Sequence, residues 1–320
     1  MLTDLYNSKF AILPFVLMMG ACGAVSDEKE PVPSNPPALQ TASTGNVHRH
    51  YIISPQMGDT VTIDVWTPEG YDGSSRRYPV IYMHDGQNLF DATTTWNHQS
   101  WEMDSVIGTL IADGKISVPV IVGIHSVAKS RKGDLMPENA LKYLPEKRSE
   151  AVDEFLDTTS LRGNAYAAFI VNTLKPRMDA LYRLSPERDS TFVMGSSMGG
   201  LMSIYAMSEY PETFGAAGCL STHWIGTLDG NNAFSDAMYA YMDEKLPRDG
   251  HHRLYLDHGT TTLDSLYGPS EERMIGLVRS HGYSEERGTL ETFVDEGGAH
   301  QESSWAARVW RPLQFLLGKK

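Results

Sequence analysis

Phe192-Val193-Met194-Gly195-Ser196-Ser197-Met198-Gly199-Gly200-Leu201 sets a serine between glycines two residues away on either side, the pattern G-x-S-x-G. An apolar run leads into it and a helix-like stretch, 198–209, leaves it. Strand, sharp turn and helix in that order lift a serine hydroxyl off a sheet edge as a nucleophile, and the flanking glycines let strand and helix come close. Only Ser197 has glycine at both −2 and +2; Ser196 does not. At the N-terminus of the following helix, Ser197 would also sit where the helix dipole favours growing negative charge.

A serine hydroxyl is a weak nucleophile at neutral pH and needs a histidine to take its proton. Of eleven histidines, His300 stands where that base is expected, behind the run Thr292-Phe293-Val294 and the small residues Gly297-Gly298-Ala299. His281 falls at a helix end, and His251, His252 and His258 precede the place for an acid. With the chain order serine, acid, histidine, the acid should follow the strand Leu254-Tyr255-Leu256. Asp264, on the loop beyond that strand, is the preferred residue. Asp257 at the strand end is the alternative, and Asp295 enters only if its loop folds back. The acid would fix the imidazole tautomer and stabilise the imidazolium.

Acyl transfer also needs two backbone donors aimed at the developing oxyanion. One is the amide of Met198, after the nucleophile. The other is expected in Tyr82-Met83-His84-Asp85-Gly86-Gln87-Asn88, where Gly86 permits close approach and Gln87 N–H is the expected donor; a plain strand-ending turn would account for Asp85-Gly86 equally well.

These residues need a scaffold. Short apolar runs at 79–83, 118–124, 191–194 and 214–220 read as buried strands, followed by weaker ones at 253–256 and 289–294. Helical spacing fits 101–113, 166–182, 198–209, 234–242, 270–280 and 303–317. Two strands at 47–53 and 60–66 read as a hairpin, and the polar stretch 126–159 as an irregular loop or lid. Strands alternating with helices predict an α/β fold with a mainly parallel sheet, helices on both faces and an antiparallel N-terminal edge.

In its motifs the chain resembles the esterase-D-like family of α/β-hydrolases, which includes feruloyl, acetyl-xylan and enterochelin esterases and mycolyltransferases. The matching stretches are His84-Asp85-Gly86-Gln87-Asn88-Leu89-Phe90, Gly195-Ser196-Ser197-Met198-Gly199-Gly200, Ser221-Thr222-His223-Trp224 and Gly297-Gly298-Ala299-His300. The resemblance spans 47–318 and implies an α/β-hydrolase fold and serine-ester chemistry. It makes Gly259-Thr260-Thr261-Thr262-Leu263-Asp264 similar to the family's acid loop, and Asp85, His223 and Trp224 candidates for the pocket wall. Core packing would explain His223 and Trp224 equally well. Trp96 and Trp101 could also line a sugar- or aryl-binding cleft, although an aromatic near a helix start is more often core. The expected substrate is a small-molecule or carbohydrate ester, with siderophore esters and acyl transfer to an alcohol as alternatives. A surface binding protein without turnover would be expected to have lost a triad member.

With 320 residues, 41% of them hydrophobic, the chain can bury a large core. A net charge of −13 without a basic cluster argues against nucleic acid as a partner. No cofactor is expected, and the scattered histidines show no metal-ligand spacing. The apolar run Phe10–Ala21 ending at Cys22 reads as a signal segment, residues 1–22. Cys22 after Gly20-Ala21 resembles a lipobox cysteine, which would make the mature protein a membrane-anchored lipoprotein; cleavage as an ordinary signal peptide is the alternative. Either way the address is export. Residues 23–46, polar and proline-rich, read as a tether, and 47–320 as the hydrolase domain.

Overall fold

A computed structural model describes residues 31–34, 36–156, 160–248 and 250–318. Eight strands form one sheet: β1 (Asn46–Ser54), β2 (Asp59–Thr67), β3 (Val80–His84), β4 (Val120–Ile124), β5 (Thr191–Ser196), β6 (Ala216–Leu220), β7 (Arg253–Gly259) and β8 (Leu290–Asp295). Their order is β1-β2-β4-β3-β5-β6-β7-β8. β1 pairs antiparallel with β2, and β2 with β4; every other pairing is parallel.

The central strands β3 to β6 are mostly apolar and buried along their whole length because both faces of the sheet are covered. The period of two divides them. Val80, Tyr82, Val122, Val193 and Leu256 face a core completed by Tyr166, Leu201, Phe234 and Met274 from the helices Gly163–Phe169, Met198–Glu209, Ala233–Lys245 and Gly268–Ser280. Ile81, Met83, Ile121, Phe192 and Met194 face a second core. Met103, Ile107 and Leu110 of Met103–Ala112 close it, with Trp305 and Leu313 from the C-terminal helices.

Two expected helices are interrupted, each ahead of a proline. The stretch 166–182 is an α-helix, Gly163–Phe169, then a π-helical turn, Ile170–Leu174, then Lys175–Leu181 with Pro176 in its first turn. The proline ring cannot sit against the carbonyl of residue 172 in a regular α-turn, and the wider turn relieves that clash. The C-terminal stretch divides into Glu302–Arg308 and Trp310–Leu317, with Pro312 unable to bond the Arg308 carbonyl.

The segment expected as an irregular loop or lid, 126–159, is fastened down where it is described. It holds the short helices Arg131–Asp134, Glu138–Tyr143 and Glu150–Leu156, and buries Leu135, Met136, Ala140, Val152 and Leu156. Upstream of β1, the stretch read as tether also contacts the domain. Arg49 donates to the carbonyls of Pro37 (2.5 Å) and Ala38 (2.9 Å), Thr41 Oγ1 to Asp91 (2.6 Å), and Trp66 Nε1 to the carbonyl of Thr44 (2.7 Å). Residues 37–45 therefore run as a strap over the body. Cys22 and the signal segment lie outside the described residues.

Candidate active site

Ser197 joins β5 to the helix Met198–Glu209 with φ 58° and ψ −122°, a conformation that costs a non-glycine residue roughly 1–3 kcal/mol and persists only when its surroundings impose it. Its amide donates to the Leu220 carbonyl at 2.9 Å, pinning the turn to β6. At Gly195 a Cβ would lie 2.9 Å from the carbonyl carbon of Gly199, so the crossing of strand and helix requires glycine there. The Met198 amide opens the helix and has no carbonyl one turn earlier to bond.

His300 leaves β8 on the turn after Asp295 and meets Asp264, which leaves β7. His300 Nδ1 lies 2.6 Å from Asp264 Oδ1. The imidazole is wedged between Tyr267 and Trp305, both edge-on, at 5.5 and 5.1 Å between ring centroids. Asp264 Oδ2 accepts from Ser221 Oγ (2.5 Å) and the Gly259 amide (2.7 Å). Burial pushes the Asp264 pKa up, but hydrogen bonds from His300 and Ser221 outweigh it and hold the carboxyl below its usual range.

Of the three carboxylates considered from sequence, His300 meets Asp264. Asp257 faces Arg308, whose Nε and Nη2 each lie 3.1 Å from its two oxygens, and burial raises its pKa. Asp295 takes Arg308 Nη1 at 3.1 Å. Ser221 links this pair to Asp264. Its Oγ accepts from Trp305 Nε1 (2.9 Å) and Arg308 Nη2 (2.7 Å), so both lone pairs are occupied and its one proton must go to Asp264.

On the other side of Ser197, Asp85 ends β3 in the left-handed region (φ 56°) and turns the chain into Gly86–Asn88. At Gly86 a Cβ would lie 2.4 Å from the Gly123 carbonyl carbon, so the turn rests directly on β4. Asp85 is only 7% exposed and is gripped by Arg131, Nε to Oδ1 and Nη2 to Oδ2 at 2.7 Å each. It serves as a brace for this loop, and its carboxylate has little surface left for a ligand. Ser126 donates to Asp85 (2.6 Å) and pairs with both side-chain atoms of Gln87 at 2.9 Å. Among the described residues, the Gln87 amide N–H has no protein acceptor.

His223 sits beside the Ser197 turn, its amide donating to the Ser197 carbonyl at 3.3 Å. Its Nε2 lies 3.0 Å from the Gly226 carbonyl and must donate, so Nδ1 accepts from the Tyr267 hydroxyl at 2.7 Å. That same hydroxyl meets the Ser197 side chain. Trp224 does not line the pocket: it is fully buried, packs near Tyr239 and donates to Glu271 at 2.5 Å, because its bulk fills the core beneath the loop. Trp101 is likewise core at 3% exposed, whereas Trp96 is 83% exposed. The neighbour of Trp96, Asn97, donates to Glu302 at 2.6 Å, two residues past His300. Sequence reasoning passed over Ser221, Tyr267, Arg131 and Arg308. Ser221 lay in a quoted motif, but nothing local to it signals the two donors that converge on its hydroxyl.

The chain matches the family model described as "Putative esterase" over residues 54–312. It belongs to that family of carboxylic ester hydrolases. Bacillus subtilis YbbA is 22% identical over 260 residues, 80% of this chain and 92% of YbbA. An endo-1,4-beta-xylanase/feruloyl esterase of Xylanibacter ruminicola is 24% identical over 277 residues, 85% of this chain. The match spans only 31% of that longer enzyme. Among solved structures, a ferulic acid esterase superposes with TM-score 0.62 at 16% identity, covering 86% of this chain and 98% of its own. The enterochelin esterase of Shigella flexneri superposes with TM-score 0.59 at 16% identity, covering 87% and 60% respectively. These superpositions establish the α/β-hydrolase fold.

Two buried histidines give this esterase a pH signature. Burial holds His84 and His223 at about 4, against 6.5 for the free side chain. Between those values the unfolded chain binds more protons than the folded one. Stability is therefore full above pH 6.5 and is lost as pH falls towards 4, on the order of 3 kcal/mol per histidine. Urea midpoints measured from pH 7.5 to 4.5 should fall steadily; a flat series would contradict the neutral, buried state of both rings.

Proposed function

We propose that this esterase is an exported serine hydrolase that cleaves a carboxylic ester through an acyl-enzyme. Ser197 attacks the ester carbonyl while His300 takes its proton, and Asp264 holds the imidazole in the required tautomer and balances the imidazolium. The Met198 and Gln87 amides receive the oxyanion. His300 then protonates the departing alcohol, and a water activated by His300 releases the acid. What carries the reading is the 2.6 Å Asp264–His300 pair, on loops leaving the same C-terminal end of the parallel strands as the strained turn that carries Ser197.

For substrate we propose an acetyl or feruloyl ester on a carbohydrate. The name of the Xylanibacter relative points that way, and so does Trp96, an exposed indole able to cover the flat face of a sugar or aryl ring. The proposed address is the cell envelope, through lipidation at Cys22.

Fractionated cells producing the full chain test these statements together. Membrane-bound activity on feruloyl- and acetyl-oligosaccharides, released into the soluble fraction by Cys22→Ser, is the expected result. Faster turnover of siderophore esters would reassign the substrate. Acylation of an added sugar acceptor would make the enzyme a transferase, and soluble activity from the full chain would remove the anchor.

A further inference from the structure

The strap that precedes β1 reaches into the site. Gln40 is 2% exposed although it lies in a polar, proline-rich stretch. Its Nε2 donates to Asp64 Oδ2 at 2.7 Å and to the Gly86 carbonyl at 2.8 Å, and its Oε1 accepts from the Phe90 amide at 3.1 Å. The Gly86 carbonyl and the Gln87 N–H belong to one peptide unit. The contact therefore falls on the same planar amide whose hydrogen would face the oxyanion.

We infer that Gln40 is a positioning residue for the oxyanion donor, an inference that rests on the serine-esterase reading above. Two physical effects follow from the contact. A peptide whose carbonyl is held by a donor cannot rotate its N–H away without breaking that bond, so the Gln87 hydrogen is fixed in direction before substrate arrives. Donation to a carbonyl also polarises its amide and strengthens the N–H as a donor.

The support behind Gln40 is rigid. Asp64 is fully buried and also receives Arg49 through Nε and Nη2 (2.6 Å each) and His125 Nε2 (2.8 Å). Its pKa is drawn down to about 2, since the His125 and Arg49 hydrogen bonds outweigh burial. It therefore remains an acceptor at any working pH. Arg49 in turn grips the strap at Pro37 and Ala38, which delivers Gln40 to its place. The loop is thus clamped from two directions, by Gln40 on the Gly86 carbonyl and by Ser126 on the Gln87 side chain.

The test compares steady-state hydrolysis of p-nitrophenyl acetate by the full chain and its Ser197→Ala, Gln40→Met, Gln40→Asn and Thr41→Val variants. Gln40→Met keeps the volume without the donor. Gln40→Asn keeps an amide beside Asp64 but is one methylene too short to span Asp64, Gly86 and Phe90 together, and it protects the experiment should the methionine variant fail to fold. Both should lower kcat by about 10- to 100-fold with KM within about threefold, since the bond acts on the transition state. Affinity for an alkyl boronic acid, which forms a tetrahedral adduct on the serine, should fall with kcat. Thr41→Val, which loosens the strap only at Asp91, should remain within twofold of the parent in activity. If the parent shows no Ser197-dependent turnover, the serine-esterase reading fails and takes this inference with it. Ser197-dependent turnover with an unchanged kcat in a folded Gln40 variant, or a loss confined to KM, overturns the inference alone.

Discussion

Replacing Ser197 with alanine should reduce kcat for p-nitrophenyl acetate by at least about 10³-fold and leave the fold intact. Ser197 is only 9% exposed, and alanine occupies the same turn with one heavy atom fewer. The strain at φ 58° is a backbone property that alanine shares, so stability should change little. The residual rate would come from binding and the oxyanion donors, which the substitution does not touch. The informative comparison is with Ser196→Ala, one residue earlier in β5 and without glycine at both flanks: it should retain most of the activity. A Ser197→Ala enzyme that turns over at the parent rate would remove the proposed nucleophile.

Asp264→Asn should cost about 10⁴-fold in kcat, and its reason is specific to this site. Two donors, the Ser221 hydroxyl and the Gly259 amide, fall on Asp264 Oδ2, so an asparagine must place its oxygen there. Its NH₂ is then turned towards His300 Nδ1, which must accept. That moves the imidazole proton to Nε2, the nitrogen needed as the base. Ser221 cannot turn its proton elsewhere to relieve the conflict, because Trp305 and Arg308 already occupy its lone pairs. Asp264→Ala, which imposes no tautomer, should be no worse than the asparagine variant.

Asp257→Asn separates the two acids. Asp257 is tied to Arg308 and Tyr255, so its loss leaves a buried guanidinium short of a partner. It should act mainly on stability, a buried ion pair deprived of one partner costing about 3–5 kcal/mol. Urea unfolding beside kcat for both variants settles the assignment. A larger kcat loss from Asp257→Asn than from Asp264→Asn would reverse it.

Much of this was legible in the chain itself. A run such as Val80-Ile81-Tyr82-Met83 has few options other than a strand covered on both faces. Gly195 and Gly199 around Ser197 announce a crossing that no side chain could share. Local constraints of this kind, from sterics and hydrophobic period, identify the sheet, the turn that carries Ser197 and the loop that carries His300, because each is set by residues close in sequence. The interruptions at Pro176 and Pro312 were equally local, and reading those prolines against the helical spacing would have found them.

The carboxylate was different. Asp257 and Asp264 stand seven positions apart on one segment; position in the chain favoured Asp264, but nothing local to either shows which one meets an imidazole that lies beyond β8. The choice is made by Arg308, on a helix near the C-terminus, which engages Asp257 and leaves Asp264 to His300. Trp224 likewise reads as lining or core until its indole is found against Glu271. Gln40 is the extreme case. Nothing in a polar stretch beside Pro36 and Pro37 marks a buried side chain, since its partners, Asp64, Gly86 and Phe90, come from β2 and the loop after β3. The chain alone determined which residues can do chemistry and which elements raise them. Pairing between distant polar groups, set by where a buried charge finds its partner, decided how they are held.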